Sequence, residues 1–236
     1  MPSRSIPRSP IPDPLASQPS PSFAISRLTV AEQVLAEIRR RILHGEIPEQ
    51  LPLPETPFAE SLGVSRVPVR EALLALEHEG LLQPGPRNTL RVRPLTATDW
   101  RQITGVRLRL EPLAAELAAA SPAPNAIREM RQNIAAFDAA ESPEELAQLD
   151  VQFHALLCAA AQQPWLQAAW TPLRSPFEAL LVRSFRAYVA ATSLPESKTS
   201  TADHSRIVDA IESGNAPLAA RLVSQHIQRW EEWNAA

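Results

Sequence analysis

The sequence predicts a mainly α-helical chain built as two units, three helices closed by a β-hairpin and then an antiparallel bundle of about six helices. Three observations carry this. A tight turn at Leu62-Gly63-Val64-Ser65 joins two segments of helical periodicity, and a short run from Leu81 to Val92 reads as two strands. After Arg93-Pro94-Leu95 the pattern is helical to the end, interrupted only by breaks that pair a cap residue with a proline. The units are read as residues 27–94 and 95–236, behind a tail of residues 1–26 rich in proline and serine. That tail lacks the periodic apolar residues that could offset its chain entropy, and is expected to be disordered.

In the first unit, Thr29-Val30-Ala31-Glu32 is a capping box, Val30, Val34, Ile38 and Ile42 share one helix face, and His44-Gly45 ends it. Thr56 and Pro57 suit the N-cap and first position of a short second helix whose buried side is Phe58 and Leu62. Gly63 supplies the left-handed residue that terminates it, and Val64 plugs the turn. Ser65 is placed to cap the third helix, with Val69, Leu73 and Leu76 inward. Arg66 and Arg70, four apart, then share the outer face. This is the layout of a helix-turn-helix that presents its second helix to a major groove.

The string Gly63-Val64-Ser65-Arg66-x-Pro68-Val69-Arg70-Glu71-Ala72-Leu73 closely resembles the signature of the GntR family of winged-helix transcriptional regulators, and the resemblance runs from Leu28 to Pro94. It implies a winged helix-turn-helix that binds double-stranded operator DNA, with Ser65, Arg66 and Arg70 as contacts and Arg87 at the wing tip, supported by Asn88 and Arg91. Thr89 stands where a wing glycine is common, and Glu55, Thr56 and Pro57 offer no further basic contact.

Composition agrees with a local rather than global DNA footprint. The net charge is -3 and the pI about 6.0, so DNA affinity must come from a patch, here the arginines of the first unit. A single cysteine, Cys158, excludes an intramolecular disulfide, and no apolar run is long enough for a membrane span. The cytoplasm is the expected compartment, with the protein on the nucleoid when DNA-bound.

The second unit breaks at Ser121-Pro122-Ala123-Pro124, Ser142-Pro143, Gln163-Pro164, Thr192 to Pro195, and Gly214-Asn215-Ala216-Pro217. Ile103, Leu110 and Leu117 mark the inward face of its first helix; Leu149, Phe153 and Leu157 of its third; Ile207 and Ile211 of its fifth; Leu222 and Trp230 of its last. Four polar residues interrupt these faces. Asp150 and His154, at i and i+4, point the same way, and His204 and His226 lie on the last two helices. One carboxylate and three imidazoles suit a borderline divalent ion, zinc first and nickel or manganese after it, with positions left for water or an exogenous carboxylate.

Leu149-Asp150-x-x-Phe153-His154-x-x-Leu157, His204-x-x-Ile207-x-x-Ala210-Ile211 and Ala219-Ala220-x-x-x-x-x-His226 resemble the ligand-binding FCD domain of the FadR-like GntR subfamily. The resemblance implies metal ligation by Asp150, His154, His204 and His226. The remaining histidines, His44 and His78, are expected to be solvated helix-end residues. Val106 to Ala115 resembles the opening segment of that domain, in which an arginine at the Arg107 position faces the effector cavity. Arg107 therefore has two readings, a clamp for an effector carboxylate and a structural salt bridge to a neighbouring helix.

The expected function is an effector-responsive regulator, a repressor that binds a palindromic operator as a homodimer and answers to a small organic acid. It is not expected to be an enzyme. Two alternatives are a metal-dependent hydrolase on a helical bundle, for which no general base stands out near the ligands, and a DNA-binding protein whose bundle is vestigial. The irregular stretch Trp170-Thr171-Pro172-Leu173-Arg174-Ser175-Pro176-Phe177 is expected to reshape the cavity.

Overall fold

The structure, a computed structural model, describes residues 28–86, 89–194 and 198–235. The proline-rich tail of residues 1–26 and Arg87 lie outside them. The chain is mainly helical. Helix α1 (Val30–Leu43) carries the expected capping box, with Thr29 and Glu32 bonded reciprocally. Helices α2 (Glu55–Leu62) and α3 (Arg66–His78) meet at Gly63, whose φ of 65° is the left-handed conformation the turn requires.

The start of α2 corrects the expectation. The helix begins at Glu55, after Pro54, with no side-chain cap, so Thr56 lies inside the first turn. First-turn amides have no intrahelical acceptor, and Pro57 there loses nothing by lacking an N–H. Pro68 has the same tolerance in α3. Ser65 occupies the N-cap position of α3, but its hydroxyl makes no cap hydrogen bond.

Strands β1 (Pro52–Leu53), β2 (Leu82–Pro84) and β3 (Leu90–Val92) form an antiparallel sheet in the order β1-β3-β2. The hairpin pairs Leu82 with Val92, and β1, which sequence periodicity is too short to reveal, pairs Leu53 with Leu90. Val34, Ile38, Leu53, Val69, Leu73, Leu76, Leu82 and Val92 are buried in the core of this unit.

The second unit comprises α4 (Ala97–Ala120), α5 (Pro124–Ala139), α6 (Pro143–Ala160), α7 (Pro164–Trp170), α8 (Arg174–Ala191), α9 (Ser200–Glu212) and α10 (Ala216–Ala235). The expected fourth helix is thus two, separated by a 3-10 turn at Thr171–Leu173 around Pro172. Helix α6 lies against α4, α5, α7 and α8, while α4 packs along α10 and α9. Its middle is sealed by Leu146, Val151, Phe153 and Leu157, all buried. The inward face of α4 is also corrected. Trp100, Thr104, Arg107, Glu111, Ala114 and Ala118 are buried, whereas Ile103, Leu110 and Leu117 sit partly buried on one flank. Small alanines at the centre of that face let α10 approach closely.

Helix α8 joins the units. Ser175 donates to Glu79 at the C-terminal end of α3 (2.8 Å), Arg183 donates to the backbone oxygen of Leu95 (2.7 Å), and Arg186 to that of His44 (3.1 Å). Among the described residues, no helix is long and apolar enough to cross a membrane.

Candidate metal centre and nucleic-acid interface

Asp150 and His154 lie one turn apart on α6, His204 on α9 and His226 on α10, and all four are buried. One ligand atom from each lies within 4.8 Å of the others. His204 Nε2 faces His226 Nε2 at 3.3 Å and Asp150 Oδ1 at 3.5 Å, and His154 Nε2 is 3.6 Å from Asp150 Oδ2. Ligand bonds of roughly 2.1 Å at tetrahedral angles separate neighbouring donors by about 3.4 Å, the spacing found here. Asp150 Oδ1 and His154 Nε2 have no hydrogen-bond partner although buried, a state that a cation would relieve. The donor set therefore fits a divalent ion.

Two carboxylates that sequence reasoning missed back the imidazoles. Glu111 Oε2 lies 2.7 Å from His154 Nδ1, off the direction of the ring N–H, and Asp203 Oδ2 lies 3.4 Å from His226 Nδ1. Such partners on the far nitrogen turn Nε2 toward the centre. Phe153 stacks on His204 with ring centres 3.8 Å apart and fixes that ring by packing instead. Burial lowers both His154 and His204 below the ordinary histidine range; Glu111 opposes this at His154, while His226 and His154 add to it at His204. Neutral rings are the ligating form.

Arg107 is buried with Glu111, not with a neighbouring helix. Its Nε donates to Oε1 at 2.6 Å and its Nη2 to Oε2 at 3.2 Å, along the same helix. Trp170 Nε1 donates to Glu111 Oε1 at 2.8 Å, which the break at Pro172 permits by ending α7 over that carboxylate. Burial pushes Glu111 upward, but Arg107 and His154 more than reverse this and hold it ionised, well below the usual carboxylate range. The Arg107 guanidinium also lies 3.6 Å above the Phe177 ring. Cys158 is buried, and its thiol is pushed upward by burial, so it is an inert packing residue.

On the first unit, Val69, Leu73 and Leu76 anchor α3 and leave the Arg66 and Arg70 side chains 66% and 70% exposed. Ser65 is exposed beside them, and Arg91 is partly buried on β3. Glu55 stands between the two arginines, 3.1 Å from Arg66 Nη2 and 3.9 Å from Arg70 Nε. His44 and His78 are exposed at the ends of their helices.

The chain matches two family models, bacterial regulatory proteins of the gntR family over residues 30–92 and the FCD domain over residues 102–229. It is 32% identical over 209 residues to the probable D-xylose utilization operon transcriptional repressor of Paenarthrobacter nicotinovorans, covering 87% of this chain and 89% of that protein. It is 27% identical over 206 residues to the HTH-type transcriptional repressor RspR of Escherichia coli, covering 86% and 88%. Among solved structures it superposes on E. coli McbR/YncC with a TM-score of 0.68 at 18% identity, over 86% of this chain and 95% of that one. A putative GntR regulator from Rhodococcus sp. RHA1 gives 0.69 at 19%, over 87% and 97%.

Proposed function

Because the chain belongs to the GntR family of bacterial transcriptional regulators, with an FCD domain after its winged helix, we propose that it is a metal-dependent repressor whose hold on operator DNA is released by a small organic acid. The observation that carries this reading is the buried convergence of Asp150, His154, His204 and His226 in the same chain as an exposed pair of arginines on α3. The ion, zinc by its donor set and nickel or manganese as second choices, would be held by those four residues and would supply open coordination positions for an acid oxygen. Glu111 occupies the Nε–Nη2 edge of Arg107, so a carboxylate effector would meet the second edge of that guanidinium.

On the DNA side, Arg66 and Arg70 read base edges, and Ser65 and the wing residue Arg87 contact the backbone. One reading head covers only a few base pairs, so a homodimer on a palindromic site follows. An apolar stripe on α4 supports a dimer seam: Val106 and Leu113, 43% and 46% exposed, line up with the half-buried Ile103, Leu110 and Leu117 at heptad spacing. The unit boundaries, 27–94 and 95–236, are part of this reading, and residues 1–26 are an extension outside both.

A change at the metal centre would reach the reading head along α8. Phe177 lies under Arg107, Pro176 lies against Gly80, and Ser175 bonds Glu79 at the end of α3. These are three successive residues. The experiment is selection of operator duplexes from a randomised pool by the metal-loaded protein, followed by titration of the enriched duplex with a panel of small hydroxy, dicarboxylic and sugar acids. Release by one acid, lost on chelation, is the expected result; enrichment of no duplex overturns the DNA reading, and a panel that leaves affinity unchanged overturns the effector class.

A further inference from the structure

Glu55 is the first residue of α2, and its carboxylate reaches across to the start of α3, where it lies 3.1 Å from Arg66 and 3.9 Å from Arg70. These are the two outward cations of the reading helix, and one acid serves both. The three side chains border a cleft of about 390 Å³ between α2, α3 and the wing, into which Glu77 brings a second carboxylate. A surface meant only to grip phosphate would not hold acids at its centre, since each lowers the attraction that dominates sequence-independent binding.

The arrangement has a specific chemical use. A guanidinium offers two edges, and an arginine that rests one of them on a carboxylate is stiffened with the other turned outward. That outer edge matches the O6 and N7 acceptors of guanine, the commonest base-specific contact in a major groove. A phosphate, by contrast, must approach a cation whose charge is already partly matched, and meets the carboxylate as a like charge.

Resting on the reading of α3 as the DNA-reading helix, we propose that Glu55 is a positioning residue that sets specificity, turning Arg66 and Arg70 from general phosphate binders into readers of bases. It acts through the arginines. A favourable placement of an acid at a helix N-terminus would also stabilise α2, so the test needs a readout that helix stability does not move.

The experiment compares full-length wild type with Glu55→Gln and Glu55→Ala, using duplexes enriched from a randomised pool and a shuffled duplex of the same length, titrated over a range of potassium chloride concentrations. Glutamine keeps an acceptor for the arginines but not the charge; alanine keeps neither. Glu55→Gln should bind the shuffled duplex about 3- to 10-fold more tightly and steepen the slope of log K against log salt by about 1, the signature of an added phosphate contact. Glu55→Ala should do the same and, on renewed selection, lose the guanine preference in each half-site. Unchanged or weaker binding of the shuffled duplex by Glu55→Gln, with an unchanged slope, overturns the role of Glu55 alone. A wild type that enriches no sequence overturns this proposal together with the reading of α3.

Discussion

Arg107 lies flat over Phe177, with its guanidinium carbon 3.6 Å from the ring centre, while its Nε and Nη2 face Glu111. The cation is thereby held on two sides by α4 and α8, the helix that begins the bundle and the helix that touches the reading head. Both partners are buried, so the ion pair has no water to fall back on.

Removing one member should therefore be severe. Glu111→Gln leaves the Arg107 charge uncompensated and should destabilise the fold by about 3–5 kcal/mol in urea titration, whereas the double replacement Arg107→Met with Glu111→Leu should recover most of the loss. A double variant no more stable than Glu111→Gln would show that the pair contributes packing that hydrophobes cannot replace.

The metal site should be measurable without knowing the effector. Protein purified without chelator should carry about one divalent ion per chain by elemental analysis, and His204→Ala or His226→Ala should lower both occupancy and the thermal midpoint, because an ion bound only by the folded state adds stability by mass action. An occupancy near zero, with no uptake on addition, would rule the site out.

Asp203 offers a gentler probe, since it contacts His226 from the edge of the bundle and is already paired with Arg229. Asp203→Asn should weaken metal affinity about 10- to 100-fold, as loss of a partner behind a ligating imidazole typically does, while the fold survives. Competition with a chromogenic chelator reads this directly. Equal affinity in variant and wild type would relegate Asp203 to anchoring Arg229.

Arg66→Ala and Arg70→Ala should each cost about 1–3 kcal/mol of affinity for an enriched duplex, with metal occupancy and thermal midpoint held. Both side chains are mostly exposed, so the fold has little to lose. Wild-type affinity in both variants would displace the DNA surface from α3.

Glu178, at the junction of the units, supplies a pH test. Burial raises its carboxyl above the ordinary range; Arg174 and Arg39 oppose the shift, and Glu79 reinforces it. A carboxyl with a raised folded-state value favours folding while protonated, and that contribution disappears as pH rises through the raised value. Glu178→Gln should therefore stabilise the protein at neutral pH, with the gain shrinking as pH falls toward the ordinary carboxylate range. A gain independent of pH would assign the effect to packing instead.

Much of this was readable from residue spacing. Val69, Leu73 and Leu76 keep the helical period that buries α3 and thereby point Arg66 and Arg70 outward, and Asp150 with His154 shows a shared face from a spacing of four. What escaped depends on partners distant in sequence. Glu111 looks like any acid on a helix until Trp170, fifty-nine residues on, closes over it, and Asp203 acquires meaning only beside His226. The two-residue β1 has no period to detect. Thr56 resembled a cap because it precedes a proline, yet a first turn accommodates Pro57 equally well and let α2 start at Glu55.

The Arg107–Glu111 pairing also sets the electroneutrality of the chamber. The two charges cancel, as do those of Asp203 and Arg229, and the His154 and His204 rings are held neutral by burial. Asp150 is then the one carboxylate set against a divalent ion, and the closed chamber would keep a single positive charge unmatched. In a medium of low dielectric such a charge is costly to leave alone. A monoanion removes the imbalance completely, whereas a dianion overshoots unless its second group reaches water. Preference for acids carrying one negative charge at the ion thus follows from charge balance alone, before the shape of the cavity has any say.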